Sequence, residues 1–179
     1  VVGVLALLLG WTAFTGAPYV PSQARDIDDL FSGNSGALSI TAADILLDLG
    51  SGDGIVLAAA AKRGAKAIGY EIHPLFLLIS RHRLRHFSRD QIRVTLANMW
   101  RAPFPPDVTI VYVFSVGRDT KRLARKLQRE ADTLGHGFTF VCYGNPLPPA
   151  AQTGTAQSDA QHHGAYSIYH FTPLHAPKA

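Results

Sequence analysis

The apolar run Ile45-Leu46-Leu47 leads into Asp48-Leu49-Gly50-Ser51-Gly52-Asp53-Gly54, and the helix-forming stretch Ile55-Val56-Leu57-Ala58-Ala59-Ala60-Ala61-Lys62 comes directly after it. Buried strand, glycine bend and helix in that order predict the first unit of a parallel α/β sheet, where a nucleotide-like ligand sits against the bend. Glycine is required there because a Cβ would block the tight turn and hold a ligand off the backbone. The two acids of the bend restrict that ligand. A pyrophosphate would face the like charges of Asp48 and Asp53, whereas a ligand with cationic groups would be attracted by them.

S-adenosylmethionine, with its sulfonium and α-ammonium, has that character. A second segment supports a nucleoside: Ala67-Ile68-Gly69-Tyr70-Glu71 reads as a short buried strand ending in an acid. Glu71 stands about 17 positions beyond Gly54, near the spacing at which a carboxylate meets the hydroxyls of a bound ribose. A solvated acid at a strand end is the plainer alternative for the same residue.

The chain of 179 residues suits one domain with one substantial core. Beyond the bend, strands are expected at 67–71, 92–96, 108–114, 138–142 and 166–171, and helices at 26–31, 55–63, 74–87 and 118–134. Pro74 fits the first turn of its helix, while Gly64 and Gly135 end theirs. The alternation predicts a Rossmann-like, doubly wound sheet, mostly parallel, with an antiparallel strand near the C-terminus. Cys142 is the one cysteine, which rules out an intrachain disulfide, and no Cys/His grouping has zinc spacing, so no metal is expected. The formal charge of +4 gathers on Arg81-His82-Arg83-Leu84-Arg85-His86 and on 121–129. Without interleaved stacking aromatics these runs read first as solvated helix faces, and an anionic neighbour is the sharper reading.

Residues 1–16 are apolar, and no charge precedes Arg25. The expectation is a remnant of a membrane anchor, with Trp11 and Tyr19 near the interface and the catalytic domain on the basic, cytoplasmic side. A cleavable signal segment and a buried helix are the competing readings. The domain division expected is 1–16 as the anchor, 17–44 as a pre-domain segment with a short helix, and 45–179 as the α/β domain.

The wording of four segments carries a resemblance: Tyr19-Val20-Pro21-Ser22, the bend at 48–54 with the helix after it, Gly69-Tyr70-Glu71-Ile72-His73-Pro74, and Asn98-Met99-Trp100. Together, over roughly 17–145, they resemble class I S-adenosylmethionine-dependent methyltransferases, and within these the FAM173 family of small membrane-anchored protein lysine methyltransferases, known in mitochondria and with prokaryotic relatives. The resemblance implies the class I methyltransferase fold and a set of roles. Leu49, Gly50, Ser51 and Gly52 would bring backbone to the methionine and ribose portions, with Asp53 beside them and Asp48 attracting the α-ammonium. Glu71 would bind the ribose diol, and Ile72 and His73 would flank the adenine. Asn98 would bond the adenine amino group, with Met99 and Trp100 covering the ring. Tyr19, Val20 and Pro21 would fold over the methionine end. The family usually carries an acid at the position of Asn98 and an Asn at that of His73.

Methyl transfer from a sulfonium is an in-line displacement in which positioning dominates. A lysine acceptor has a solution pKa of about 10.4 and must shed its proton, which an apolar tunnel favours. Tyr19, Phe114 and Ser115, with Trp100, are the tunnel candidates, and no dedicated base is expected. Phe114-Ser115-Val116-Gly117 stands where base-modifying amino-methyltransferases often place Asp/Asn-Pro-Pro-aromatic, so a nucleic-acid partner is disfavoured. The expected partner is a membrane-associated protein presenting a lysine. Methylation of RNA or a small amine, and a non-catalytic or NAD-type nucleotide-binding protein, stay open as alternatives.

Overall fold

The computed structural model describes residues 24–33 and 38–175. The expected anchor and the segment holding Tyr19, Val20 and Pro21 lie outside the described residues. Among the latter no helix is long and apolar enough to cross a membrane.

Helix α1 (Ala24–Phe31) precedes β1 (Ile45–Leu49), α2 (Ile55–Lys62), β2 (Lys66–Glu71), α3 (Pro74–Arg83) and β3 (Ile92–Leu96). Then come β4 (Ile110–Ser115), a single 3₁₀ turn (Gly117–Asp119), α4 (Thr120–Leu134), β5 (Phe138–Gly144), the short α5 (Ala150–Thr153), β6 (Gln161–His163) and β7 (Tyr166–Phe171). The seven strands run β3-β2-β1-β4-β5-β7-β6. β1 to β5 are parallel, and β7 pairs antiparallel with both β5 and β6. This is the doubly wound, mostly parallel sheet that the alternation predicts.

The alternation of side chains along each strand sorts the core into two layers. Leu46, Ala67, Val94, Ile110, Tyr112 and Val141 face one way, onto Ile27, Leu30 and Phe31 of α1, Leu57 and Ala60 of α2 and Leu77 of α3. Leu47, Leu49, Val111, Val113, Phe140 and Cys142 face the other, onto Leu123, Ala124, Leu127 and Ala131 of α4. Those four recur at helical spacing, so α4 buries one stripe and leaves Lys121, Arg122, Arg125 and Arg129 outside. Gly135 ends the helix in the left-handed region at φ 73°, its N–H donating to the Ala131 carbonyl.

Three expectations need correction. Helix α3 stops at Arg83 rather than continuing to 87. Leu84 turns inward beside Gly54, and the freed His82 carbonyl is taken by the backbone and guanidinium of Arg85. Strand β4 starts at Ile110, because Val108 is held in a turn by the Pro105 carbonyl. Strand β6 and helix α5 are additions to the expected elements; the polar Gln161-His162-His163 carries no alternation, and its pairing with β7 is made by backbone.

Candidate cofactor site

The carboxyl ends of β1, β2 and β4 converge on one edge of the sheet, since Asp48 is in register with Gly69 on one side and Tyr112 on the other. The bend after β1 is fastened to β2 by the Gly50 and Ser51 amides, which both donate to the Tyr70 carbonyl at 2.8 and 3.0 Å. At Gly50, φ is 92° and a Cβ would meet nothing within 4 Å among the described residues, so the backbone there is not covered by any of them and a ligand can approach it. At Gly54, φ is 83° and a Cβ would strike Ser80 Oγ at 2.6 Å, which explains why a small buried serine faces it from α3.

Asp48 is only 3 % exposed and accepts no hydrogen bond among the described residues. Burial first, then the neighbouring Glu71 and Asp53, hold its carboxyl well above the usual carboxylate range. Such a group is costly unless something cationic approaches it. Asp53 does not share that position. Its carboxylate pairs with the Arg83 guanidinium at 2.8 Å and accepts the Ile55 amide at 3.3 Å. The attraction that the bend offers a cation therefore comes from Asp48.

Glu71 is buried and works in both directions. One oxygen accepts the Gly52 N–H at 2.8 Å and the other the His73 N–H at 2.7 Å, so the carboxylate ties the bend to the strand end. Each oxygen keeps a second lone pair, enough for two ribose hydroxyls. His73 caps α3, its Nδ1 accepting the Leu75 amide at 3.3 Å, and its buried ring is edge-on to Phe76. Beside it Ile72 and Leu96 are about half exposed, two apolar side chains at the strand ends that a purine ring would cover. Leu96 escapes sequence reasoning because it reads only as the last residue of a strand.

Asn98 uses its side-chain oxygen to accept the Trp100 amide at 2.9 Å, closing a turn in the manner of an Asx residue. Its second lone pair and its amide nitrogen are left for a ligand. Met99 and Trp100 pack on the α4 layer of the core, and the Arg122 guanidinium lies 4.1 Å from the indole centroid. One face of Trp100 is thus occupied by Arg122 rather than open to a base.

At the other end of the edge, Phe114 and Ser115 close β4. Phe114 lies 5.8 Å from Tyr143, and Tyr143 lies 5.1 Å from Tyr166. The Ser115 hydroxyl is buried with no hydrogen-bond partner among the described residues, while its carbonyl accepts both the side-chain and backbone N–H of Asn145. Tyr143, Tyr166 and Asn145 escape sequence reasoning because the topology, not the spacing, brings β5 and β7 to Phe114. Burial, reinforced by Asp26, pushes the Tyr166 phenol up to about 12. Burial likewise pushes the Cys142 thiol up to about 12, so it is no nucleophile.

The residues present fit S-adenosylmethionine: the buried Asp48 carboxylate has no partner among the described residues where a cationic group would lie, with Glu71 one strand away and the Gly50 backbone between them, uncovered by any described residue. In comparisons with known proteins, the chain is 30% identical over 116 residues to the human lysine N-methyltransferase named for the ATP synthase C subunit, covering 64% of this chain and 47% of that protein. It is 32% identical over 114 residues to the protein of the same name from Xenopus laevis, covering 63% and 48%. The chain thus spans about half the length of these curated relatives. Among solved structures, an RNA methyltransferase from Salinibacter ruber in complex with S-adenosyl-L-homocysteine superimposes with a TM-score of 0.67 at 22% identity, covering 89% of this chain and 98% of that one. That likeness shows the fold. Residues 48–152 match the family described as the ANTKMT methyltransferase domain, and the chain belongs to that family.

Proposed function

We propose that this protein is an S-adenosylmethionine-dependent lysine N-methyltransferase acting on a protein, and that its substrate is membrane-associated. The observation that carries the reading is the Asp48 carboxylate, buried beside Glu71 with no partner among the described residues, at the edge where the fold binds ligands. The names of the curated relatives support lysine as the acceptor and an ATP synthase subunit as the kind of target. Membrane association through residues 1–16, with the domain on the cytoplasmic or mitochondrial side, belongs to the same proposal.

When bound, S-adenosylmethionine supplies a methyl group activated by its sulfonium. The protein's own part is to hold, orient and dehydrate. Asp48 fixes the cationic amino-acid end, Glu71 the ribose, and Ile72, Leu96 and Asn98 the purine. Phe114 and Tyr143, half-buried and backed by the buried Tyr166, wall the space beyond the strand ends, and an ammonium entering it is pressed to lose its proton before reaction. Aromatic faces also favour the methylated cation that results. The Tyr166 phenol stays protonated at neutral pH and supplies no base.

The test is incubation of the purified protein with membrane fractions and methyl-labelled S-adenosylmethionine, with mapping of the labelled peptide. Label on a lysine Nε, lost in Asp48→Asn, is the expected result. Label recovered in RNA, or none in any protein, overturns the assignment.

A further inference from the structure

Helix α3 is turned the wrong way for an ordinary surface helix. It buries Leu77 and Ser80, the serine completely, yet leaves Leu75 37 %, Leu78 62 % and Ile79 40 % exposed. These three stand at i, i+3 and i+4, so they form one stripe on the outer face. Ser80 takes the inner position because Gly54 comes so near that only a small side chain fits. The stripe is thus not a by-product of a helix that needed apolar residues inside.

The chain beyond the stripe is basic. Arg81, His82, Arg83, Arg85, His86 and Arg89 succeed one another along the end of α3 and the turn after it, all exposed, with Asp90 the one acid before the exposed Arg93 on edge strand β3. Arg83 is neutralised by Asp53, and Arg81 reaches the Val94 carbonyl on β3 at 3.2 Å. The remaining arginines have no acidic partner among the described residues. Apolar side chains followed at one end by a run of cations match the two layers of an anionic bilayer, acyl chains and phosphate headgroups. A protein partner would have to supply both a hydrophobic pocket and a surplus of acids.

We propose that the outer face of α3 docks onto an anionic lipid surface, with Leu75, Leu78 and Ile79 inserted and Arg81, Arg85 and Arg89 against the headgroups. His73 caps α3 and stands two positions after Glu71, so this docking places the cofactor edge of the sheet beside the membrane. The proposal is separate from any anchor at residues 1–16 and does not require methyl transfer.

The experiment uses the whole chain carrying an environment-sensitive fluorophore at Leu78→Cys, with Arg125→Cys on the opposite layer as control. Cys142 is fully buried and so does not compete for the label. Vesicles of phosphatidylcholine alone are compared with vesicles containing phosphatidylserine. The expected result is a blue shift and quenching by lipid-borne quenchers at position 78, only with phosphatidylserine, and none at 125. In the unlabelled chain, Leu78→Gln with Ile79→Gln should weaken anionic-vesicle binding by about tenfold or more. Four outcomes overturn the proposal: no shift at 78 in vesicle-bound protein, an equal shift with phosphatidylcholine alone, a shift already present without vesicles, or binding unchanged in the double variant. The third would mean that the face is covered by the chain's own amino-terminal segment or by a second copy. Retained binding of S-adenosylhomocysteine by each variant shows that the fold and cofactor site are intact.

Discussion

Replacing Asp48 by Asn should make the empty protein more stable and its hold on ligand weaker. In the native fold this carboxylate is 3 % exposed, has no hydrogen bond among the described residues, and lies near Glu71 and Asp53. An amide of the same shape removes the charge at little steric cost. The amide is still a buried polar group without a partner among the described residues, so only the burial of charge and its repulsion by Glu71 and Asp53 are relieved, and a gain of about 1 kcal/mol is expected. For a chain of this size that is about 2–4 °C in Tm. The same change removes a charge-assisted contact to the ligand, worth about 1.5–3 kcal/mol, or about ten- to a hundredfold in Kd for S-adenosylhomocysteine. The sign of the pH dependence is set by the raised pKa. Between its unfolded value near 3.8 and its higher folded value, the native state holds more protons, so wild-type stability falls as pH rises through that window. Over the same window ligand affinity should rise, because the cation needs the ionised carboxyl. Scanning calorimetry and isothermal titration from acid to neutral pH measure both. A variant that melts lower than wild type and binds S-adenosylhomocysteine about as tightly would refute the reasoning.

Other contacts make further outcomes testable. Glu71→Gln leaves either the Gly52 or the His73 amide without an acceptor, so it should lower stability by about 1–3 kcal/mol as well as abolishing binding, seen as a lower denaturant midpoint. Gly69→Ala would set a Cβ 2.6 Å from Ser51 Oγ and 2.7 Å from Leu57 Cδ1, costing about 1–3 kcal/mol and displacing the bend; weaker ligand binding in calorimetry checks it. Lys126→Met strands Glu130 and frees the Ala102 carbonyl, so a loss of about 3 kcal/mol is expected, read from the melting temperature. Arg83→Ala breaks a pair whose arginine is 46 % exposed, and should change stability by less than about 1 kcal/mol by the same measurement.

The elements that sequence reasoning recovers are those whose chemistry is local. The bend at 48–54 declares itself by glycines that must take positive φ, and α4 by Leu123, Leu127 and Ala131 on one face. Glu71 is legible as a ligand for a ribose, but its second task, holding the Gly52 and His73 amides, is not, because it depends on how far the bend folds back over β2. The pairing of Asp53 with Arg83 is hidden for a similar reason, since α3 has to be placed before Arg83 has a neighbour. The same holds for Trp100: its neighbour Arg122 comes from a helix far along the chain, and spacing carries no trace of it. β6 escapes altogether, for its three polar residues carry no alternation and are placed by main-chain pairing with β7 and by the contact of His162 Nδ1 with the Ser167 hydroxyl at 3.0 Å.

Strand β7 lies inside the sheet, between β5 and β6, though it is the last strand in chain order among the described residues. Residues 166–171 must therefore emerge from the ribosome before β5 can be covered, and until then Phe138 and Phe140 face an incomplete neighbour. Closure of the sheet beside β5 consequently waits for residues 166–171. A nascent chain arrested ahead of Tyr166 should be a ward of chaperones rather than a folding intermediate with a finished interior.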